Sequence, residues 1–207
     1  VVSRSKDLLD ELEREAHAVM DCFAMDLTQG TGRLAEAVKG WSIDIIVHAI
    51  GGSHGITDTW SSSYDWQTVW RLNLGIAHDI NRLFIPRMIE RGWGRIVHIS
   101  SISTKAHIGY APYQSAKAAV EGYVLAVGKE LAPTGVVMPC VAPGAIWTEG
   151  RHFANMPEAE RNEYIRNFIP AGRLGNADEV AKVIAFLCSD AASYMAGSIV
   201  RVDASGR

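Results

Sequence analysis

Residues 94–117 decide how this chain is read. Gly94-Arg95-Ile96-Val97-His98-Ile99-Ser100-Ser101 is followed, twelve residues after its last serine, by Tyr113-Gln114-Ser115-Ala116-Lys117. The first stretch is a short apolar, β-branched run between a glycine and two serines, the pattern of a buried strand. The Ala-rich stretch 112–132 reads as a long helix, on which Tyr113 and Lys117 stand four apart and share a face. Ligands of an open parallel sheet bind beyond the carboxyl ends of its strands. A strand-end serine and a helix-borne Tyr/Lys pair can therefore meet in one cleft.

That trio has a chemical logic. A tyrosine hydroxyl has a reference pKa of about 10, too high for proton transfer at neutral pH. A cationic lysine beside it is expected to stabilise the phenolate and lower that value, making tyrosine a general acid or base. A serine would hold the substrate oxygen. Tyr-x-x-x-Lys is common on helices by chance, so the context has to carry the reading.

Working outward, short β-rich runs alternate with amphipathic helical stretches, which predicts a parallel α/β sheet in a single domain over residues 1–207. Residues 5–17 read as a helix with Ser5 as N-cap, and 18–25 as a short strand ending at Asp26. Residues 31–40 read as a helix entered through Thr28 or Thr31. Residues 43–50 form a nearly continuous apolar run, the pattern of a strand covered on both faces. A Gly-rich stretch (51–55) and a polar loop lead to a long helix over 66–91, in which Pro86 predicts a kink or break. Beyond the Ala-rich helix come a strand at 136–142, a polar excursion at 148–170, a helix at 177–190 and a last strand at 198–203.

Composition narrows the function classes. Of the 207 residues 48% are hydrophobic and 21% charged, with a net charge of -3. These are globular values, and the slightly acidic balance argues against a nucleic-acid or anionic-membrane partner. The sequence holds no apolar run long enough to span a bilayer. Cys22, Cys140 and Cys188 form neither a disulfide framework nor a metal half-site, which points to a reducing, cytoplasmic setting. The seven histidines show no metal-ligand spacing. His48 and His98 fall in strands, where packing or a place near the cleft is expected.

The order of motifs resembles the short-chain dehydrogenase/reductase family along nearly the whole chain. Asp26-Leu27-Thr28 resembles the family's Asp-Val/Leu-Thr. His48-Ala49-Ile50-Gly51 stands where the family has Asn-Asn-Ala-Gly, and Arg71-Leu72-Asn73-Leu74 is similar to the helix carrying its active-site Asn. Tyr113 and Lys117 match Tyr-x-x-x-Lys, and Pro143-Gly144-Ala145-Ile146-Trp147-Thr148 matches the Pro-Gly motif at the nicotinamide. Arg173-Leu174-Gly175 and Val202-Asp203 resemble the family's tail.

The resemblance implies a doubly wound, Rossmann-like sheet and an oxidoreductase interconverting a carbonyl and an alcohol. Tyr113 would be the acid/base and Lys117 its electrostatic partner, which also holds the cofactor ribose. Asn73 would organise a proton-relay water. Ser101 would polarise the substrate, with Ser100 as the alternative because the spacing to Tyr113 is one residue shorter than is usual. Arg4, Asp26, Leu27, Ala49, Gly51, Pro143, Gly144, Ile146 and Thr148 would line the cofactor. The basic Ser3-Arg4-Ser5-Lys6 suits the 2′-phosphate of NADP rather than NAD. The resemblance also implies a small-molecule substrate, a polar lid over 149–169 whose Arg151, Arg161 and Arg166 hint at a polar or anionic substrate, and a homodimer or homotetramer.

The family opens with a strand and a Gly-rich phosphate loop, and Val1-Val2 aligns with its second strand. The sequence is therefore expected to lack the first β-α unit, of roughly 30 residues, and with it the central strand. Strand two could then close against strand four, the sheet could be repaired by a second copy, or the natural protein could be longer and this sequence a fragment of it. Gly30-Thr31-Gly32-Arg33-Leu34-Ala35 satisfies G-x-G-x-x-A, but no acid ends a following strand at the required distance, so it reads as the start of a helix.

The rival class is a cofactor-independent serine esterase. Gly51-Gly52-Ser53-His54-Gly55 satisfies G-x-S-x-G after a buried strand, with Asp65, Asp79, His107 and His152 as nominal partners. A second hydrolytic route would use Ser101 as nucleophile and Tyr113/Lys117 as its base.

Overall fold

A computed structural model describes residues 1–16, 19–106 and 109–206. The elements run β1 (Val2–Ser3), α1 (Lys6–Glu15), β2 (Phe23–Ala24), α2 (Gly32–Ala37), β3 (Ile45–His48), α3 (Ser63–Trp70), a π-helical turn at Arg71–Gly75, and α4 (Ile76–Arg91). They continue with β4 (Gly94–Ile99), α5 (Ser103–Ala106), α6 (Ala111–Leu131), β5 (Val136–Val137), β6 (Cys140–Pro143), β7 (Ile146–Trp147), α7 (His152–Asn155), α8 (Glu158–Phe168), β8 (Gly175–Asn176), α9 (Ala177–Leu187) and β9 (Ile199–Val202).

The main sheet is parallel, in the order β3-β4-β6-β9, with β5 also paired to β4. Strand alternation shows both faces at work. In β4, Ile96 packs with Met88, Val120 and Val124 of α4 and α6, while its neighbour Val97 packs with Val180 and Leu187 of α9 on the opposite face. Both residues have 0% exposure. Cys140 and Val141 of β6 divide in the same way. This is the doubly wound α/β architecture.

The other half of the molecule is built differently. β1 and β2 form their own parallel pair and have no ladder to β3. They join the rest through a separate core, in which Leu27, Leu34, Val38, Ile76 and Ile80 pack with Val2, Phe23 and Ile46. The sequence expectation that β3 is covered on both faces fails. Ile46 and His48 face the core, but Ile45 and Val47, on the other face, are 46% and 41% exposed. α9 covers that face only over β4, β6 and β9, and strand two does not close against this strand.

Three further expectations change. Pro86 does not end its helix: α4 runs through it to Arg91 and stops at Gly92 in the left-handed conformation. Packing of Met88, Phe84 and Ile85 into the core outweighs the lost backbone bond. The irregularity lies instead at Arg71–Gly75, where Arg71 folds over Gly75 to pair with Asp79 at 2.6 Å. The strand at 136–142 is split into β5 and β6. The strand expected over 18–25 shortens to β2; Ala18, like His17 at the end of the helix expected over 5–17, lies outside the described residues. α1 itself begins as read, capped by the Ser5 side chain.

Candidate active site

The Tyr/Lys helix is set up by its first turn. Pro112 stands at the start of α6, where its fixed φ favours helix and its missing N–H costs nothing. Tyr113, Lys117 and Glu121 then follow at four-residue steps along one face. Lys117 is 4% exposed, and its Nζ donates to the carbonyl of Ile99 at the end of β4 (2.7 Å). That ammonium also lies 5.7 Å from the centre of the Tyr113 ring.

The two serines part company here. Ser100 is buried, and its hydroxyl donates to Glu121 Oε1 at 2.7 Å. Thr104 donates to the same oxygen at 2.8 Å. Ser101 acts instead on the Tyr113 phenol, whose pKa it lowers, and its Oγ accepts from the Ser103 N–H at 3.2 Å. The serine beside the tyrosine is thus Ser101.

Electrostatics correct one expectation. Burial pushes the Tyr113 hydroxyl up from its ordinary value, and the Ser101 hydrogen bond only partly offsets this. Lys117, 5.7 Å from the ring centre, does not reverse the rise. Its own burial brings the amine down to about 8, and its proton is directed at the Ile99 carbonyl. At neutral pH Tyr113 is therefore a protonated donor.

β3 brings the next groups in. The Asn73 side chain, in the π-helical turn, clamps Gly52 from both sides: its amide donates to Gly52 O (2.8 Å) and its carbonyl accepts from Gly52 N–H (3.1 Å). The amide also donates to Val69 O. At Gly51 a Cβ would stand 2.6 Å from Asn73 Oδ1 and 3.0 Å from Lys117 Nζ. A side chain there would collide with Asn73 Oδ1 and crowd Lys117 Nζ, so glycine suits this close approach of the loop to α6.

Gly51 also opens onto a hollow of about 340 Å³ between the carboxyl ends of β1, β2 and β3. Arg4, Asp26, Leu27, Ala49 and Gly51 all line it, and its size falls in the range of small-ligand pockets. The Asp26 carboxylate is tied to Thr28 N–H and Oγ1, which hold its pKa below the usual range. The other four candidates sit apart from this hollow. Pro143 ends β6, and its carbonyl accepts from Ile102 N–H (2.9 Å), next to Ser101. Gly144 passes so close to β9 that a Cβ would lie 2.7 Å from Asp203 Cα. Ile146 is in β7, and Thr148 begins the turn into the lid.

The esterase loop lacks the geometry its motif requires. After Gly55 the chain runs as loop to the cap of α3 at Ser62, so no helix follows the serine directly. Its nominal acids are engaged elsewhere, Asp65 in the capping box with Ser62 and Asp79 with Arg71. His152 meets the Phe153 ring edge-on in α7, and His107 lies outside the described residues.

Three features escaped sequence reading. Glu121 continues the Tyr113–Lys117 spacing by one more step of four, a signal that could have been followed. His48 and His98 are exact register partners whose rings lie 4.6 Å apart. Asn81 joins them, with Oδ1 2.8 Å from His48 Nε2 and Nδ2 donating to Tyr123 Oη at 3.2 Å. Burial lowers the pKa of both histidines. Only the pairing of β3 with β4 creates this network. Among the described residues no cluster is arranged to hold a metal ion, and no helix is long and apolar enough to cross a membrane.

A doubly wound sheet with Ser101 just beyond β4, beside Tyr113 and Lys117 of α6 and next to a Gly-lined hollow, defines a protein of the Rossmann-like α/β class. Comparison with known proteins sharpens this. The model of a family described as enoyl-(acyl carrier protein) reductase matches residues 2–205. The 3-oxoacyl-[acyl-carrier-protein] reductase FabG of Aquifex aeolicus is 36% identical over 162 residues, covering 78% of this chain and 64% of that protein. Among solved structures, the NADP-bound 3-oxoacyl (acyl-carrier-protein) reductase of Agrobacterium tumefaciens superposes with a TM-score of 0.86 at 25% identity, covering 100% of this chain and 82% of that one. A 7α-hydroxysteroid dehydrogenase complexed with NADH and 7-oxo glycochenodeoxycholic acid gives 0.89 at 27%, with coverages of 100% and 83%. The chain belongs to the short-chain dehydrogenase/reductase family.

Proposed function

We propose that this protein is an NADP(H)-dependent oxidoreductase that interconverts a carbonyl and an alcohol. The observation that carries the reading is the convergence of Ser101, Tyr113 and Lys117 at the end of β4, one residue contact away from the hollow through Gly51. The hollow suits the adenosine end of a dinucleotide: a fixed carboxylate at Asp26 and a guanidinium at Arg4, where a 2′-phosphate would add negative charge. Pro143, Gly144, Ile146 and Thr148 would border the nicotinamide end.

When bound, the cofactor supplies or accepts a hydride at its nicotinamide ring. The chain's own residues manage the oxygen and its proton. Ser101 Oγ orients the substrate oxygen, and Tyr113 Oη, protonated at neutral pH, donates to it in the reducing direction. Lys117 Nζ, which donates to Ile99 O, would hold the ribose and, as a cation, stabilise the charge left on the phenol as the proton leaves. Asn73 fixes the Gly52 loop and would place the relay water. Exposed Leu83 and Ile89 on α4 and Leu125 on α6 support assembly into a homodimer or homotetramer, and three free cysteines support a cytoplasmic setting.

The test is a fluorescence titration with NADPH and NADH, then turnover assays beginning with the substrate classes in the relatives' names, a 3-oxoacyl thioester and a ketosteroid. Tyr113→Phe is expected to lower kcat by about 10²–10⁴ while leaving dinucleotide affinity intact. Full turnover in that variant overturns the assignment. Cleavage of a p-nitrophenyl ester without dinucleotide binding points to the hydrolase instead.

A further inference from the structure

The lid carries three arginines, and the structure uses them differently. Arg161 is braced within the lid: its Nη1 donates to Phe153 O and Met156 O, and its guanidinium stacks 5.2 Å from the Trp147 ring. Arg166 lies in the last turn of α8 and does not line the hollow. Arg151 does line it. The turn Thr148-Glu149-Gly150-Arg151 closes on a hydrogen bond from Arg151 N–H to Thr148 O (3.1 Å), with Gly150 in the left-handed conformation at φ +66°. This sends the chain from the nicotinamide-side segment back over the ends of β1–β3.

Charge in the hollow then becomes lopsided. Two guanidiniums, Arg4 and Arg151, line the hollow with one carboxylate, Asp26, whose Oδ1 accepts from Thr28 and whose charge Arg4 already helps to stabilise. Among the described residues neither arginine has a side-chain hydrogen bond or ion pair. The chain as a whole is acidic, at -3. A local excess of guanidinium over carboxylate in an acidic protein selects an anion, and guanidinium favours phosphate oxygens in a two-pronged contact. Arg4 and Asp26 belong to the β1–β2 end of the hollow and Gly51 to the end nearest Lys117, so the linkage joining the two halves of a dinucleotide falls between them.

We infer that Arg151 is a cofactor-binding residue whose guanidinium pairs with the diphosphate of the bound dinucleotide, seating the lid on the cofactor, while Arg4 pairs with the 2′-phosphate. The inference rests on the dinucleotide reading above and goes beyond it, because it ties the lid to the part of the cofactor that NADP and NAD share.

Equilibrium Kd values for NADPH and NADH, read from quenching of tryptophan fluorescence, separate the two arginines. Arg151→Gln is expected to weaken both dinucleotides by the same factor, about tenfold or more, the loss of one charge-assisted contact. Arg151→Lys should recover part of it. Arg4→Gln should weaken NADPH by a similar factor and leave NADH nearly unchanged. Arg151 is exposed, so an unchanged Tm certifies the fold of each variant. Affinities within twofold of the parent for both dinucleotides in Arg151→Gln overturn the inference. A loss confined to NADPH also overturns it, because the arginine would then read the 2′-phosphate. If the parent protein binds neither dinucleotide, the underlying reading fails and this inference falls with it.

Discussion

The two halves of this molecule solve the same packing problem with different completeness. On the β4-β6-β9 side, each strand is sandwiched between α4/α6 and α9, and neighbouring residues such as Ile96 and Val97 are both fully buried against opposite layers. On the β1-β2-β3 side, one face is packed and the other is open: Ile45 and Val47 of β3, with Leu8 and Leu12 of α1, show large apolar surface. The closed half holds the Tyr/Lys helix rigidly. The open half frames the hollow. The difference teaches that the chemistry and the proposed ligand site draw on different reserves of stability, with the lowest reserve where a ligand would add contacts of its own.

The largest effect that separates the halves comes from their arginines. Arg95, at the start of β4, has a side chain only 3% exposed, and it donates to Gly94 O, Gly135 O, Ser189 O and Asp190 Oδ1. Arg95→Leu removes the donors from four acceptors and is expected to cost about 3–5 kcal/mol in urea unfolding. Arg91, which ties β3 to α4 through Ile43 O and Asp44 Oδ1, is a third exposed. Its replacement by Leu should cost about 0.2–1 kcal/mol. Equal losses for the two would erase the distinction.

A second pair sharpens it in purely apolar terms. Leu187, the buried end of α9, is 0% exposed. Leu187→Ala is expected to cost about 2–5 kcal/mol, the transfer of the lost methyls plus the cavity they leave. Val47→Ala, on the open face of β3, should cost well under 1 kcal/mol, since its side chain already meets water. A loss above about 2 kcal/mol at Val47 in the same urea titration would show that the face is covered in solution, by a second copy or by another segment.

These contrasts also explain what the sequence could and could not show. The closed half was legible because its physics is local: the apolar run of β4, the Ala-rich α6 with Pro112 at its start, and the four-residue step from Tyr113 to Lys117 all lie in contiguous stretches. β3 misled because an apolar run looks the same whether both faces are covered or one. The possible break at Pro86 did not form because packing of its neighbours outweighs the local penalty. The choice between Ser100 and Ser101 needed a third residue, Glu121, whose carboxylate claims one of them. The upward shift of Tyr113 depended on burial and on the direction taken by the Lys117 ammonium, which spacing along a helix does not encode.

The seam between the halves gives the smallest effect and the most diagnostic one. His48 on β3 and His98 on β4 face each other in register and share Asn81. Burial lowers both pKa values, and for His98 the neighbouring His48 and Lys117 add to the shift. A depressed histidine stays neutral in the folded state while the unfolded chain takes up a proton near pH 6.5. The unfolded state then binds more protons, so stability is fully present above about pH 6.5 and declines as pH falls. The decline is at most about 1 kcal/mol per histidine over the first pH unit below that value. His98→Asn keeps a polar partner for Asn81 and removes one titrating group, so its urea midpoint should fall less steeply between pH 6.5 and 5.5 than the parent's. An identical slope in the variant would mean that His98 is not held neutral, and that water reaches the seam between the closed and the open half.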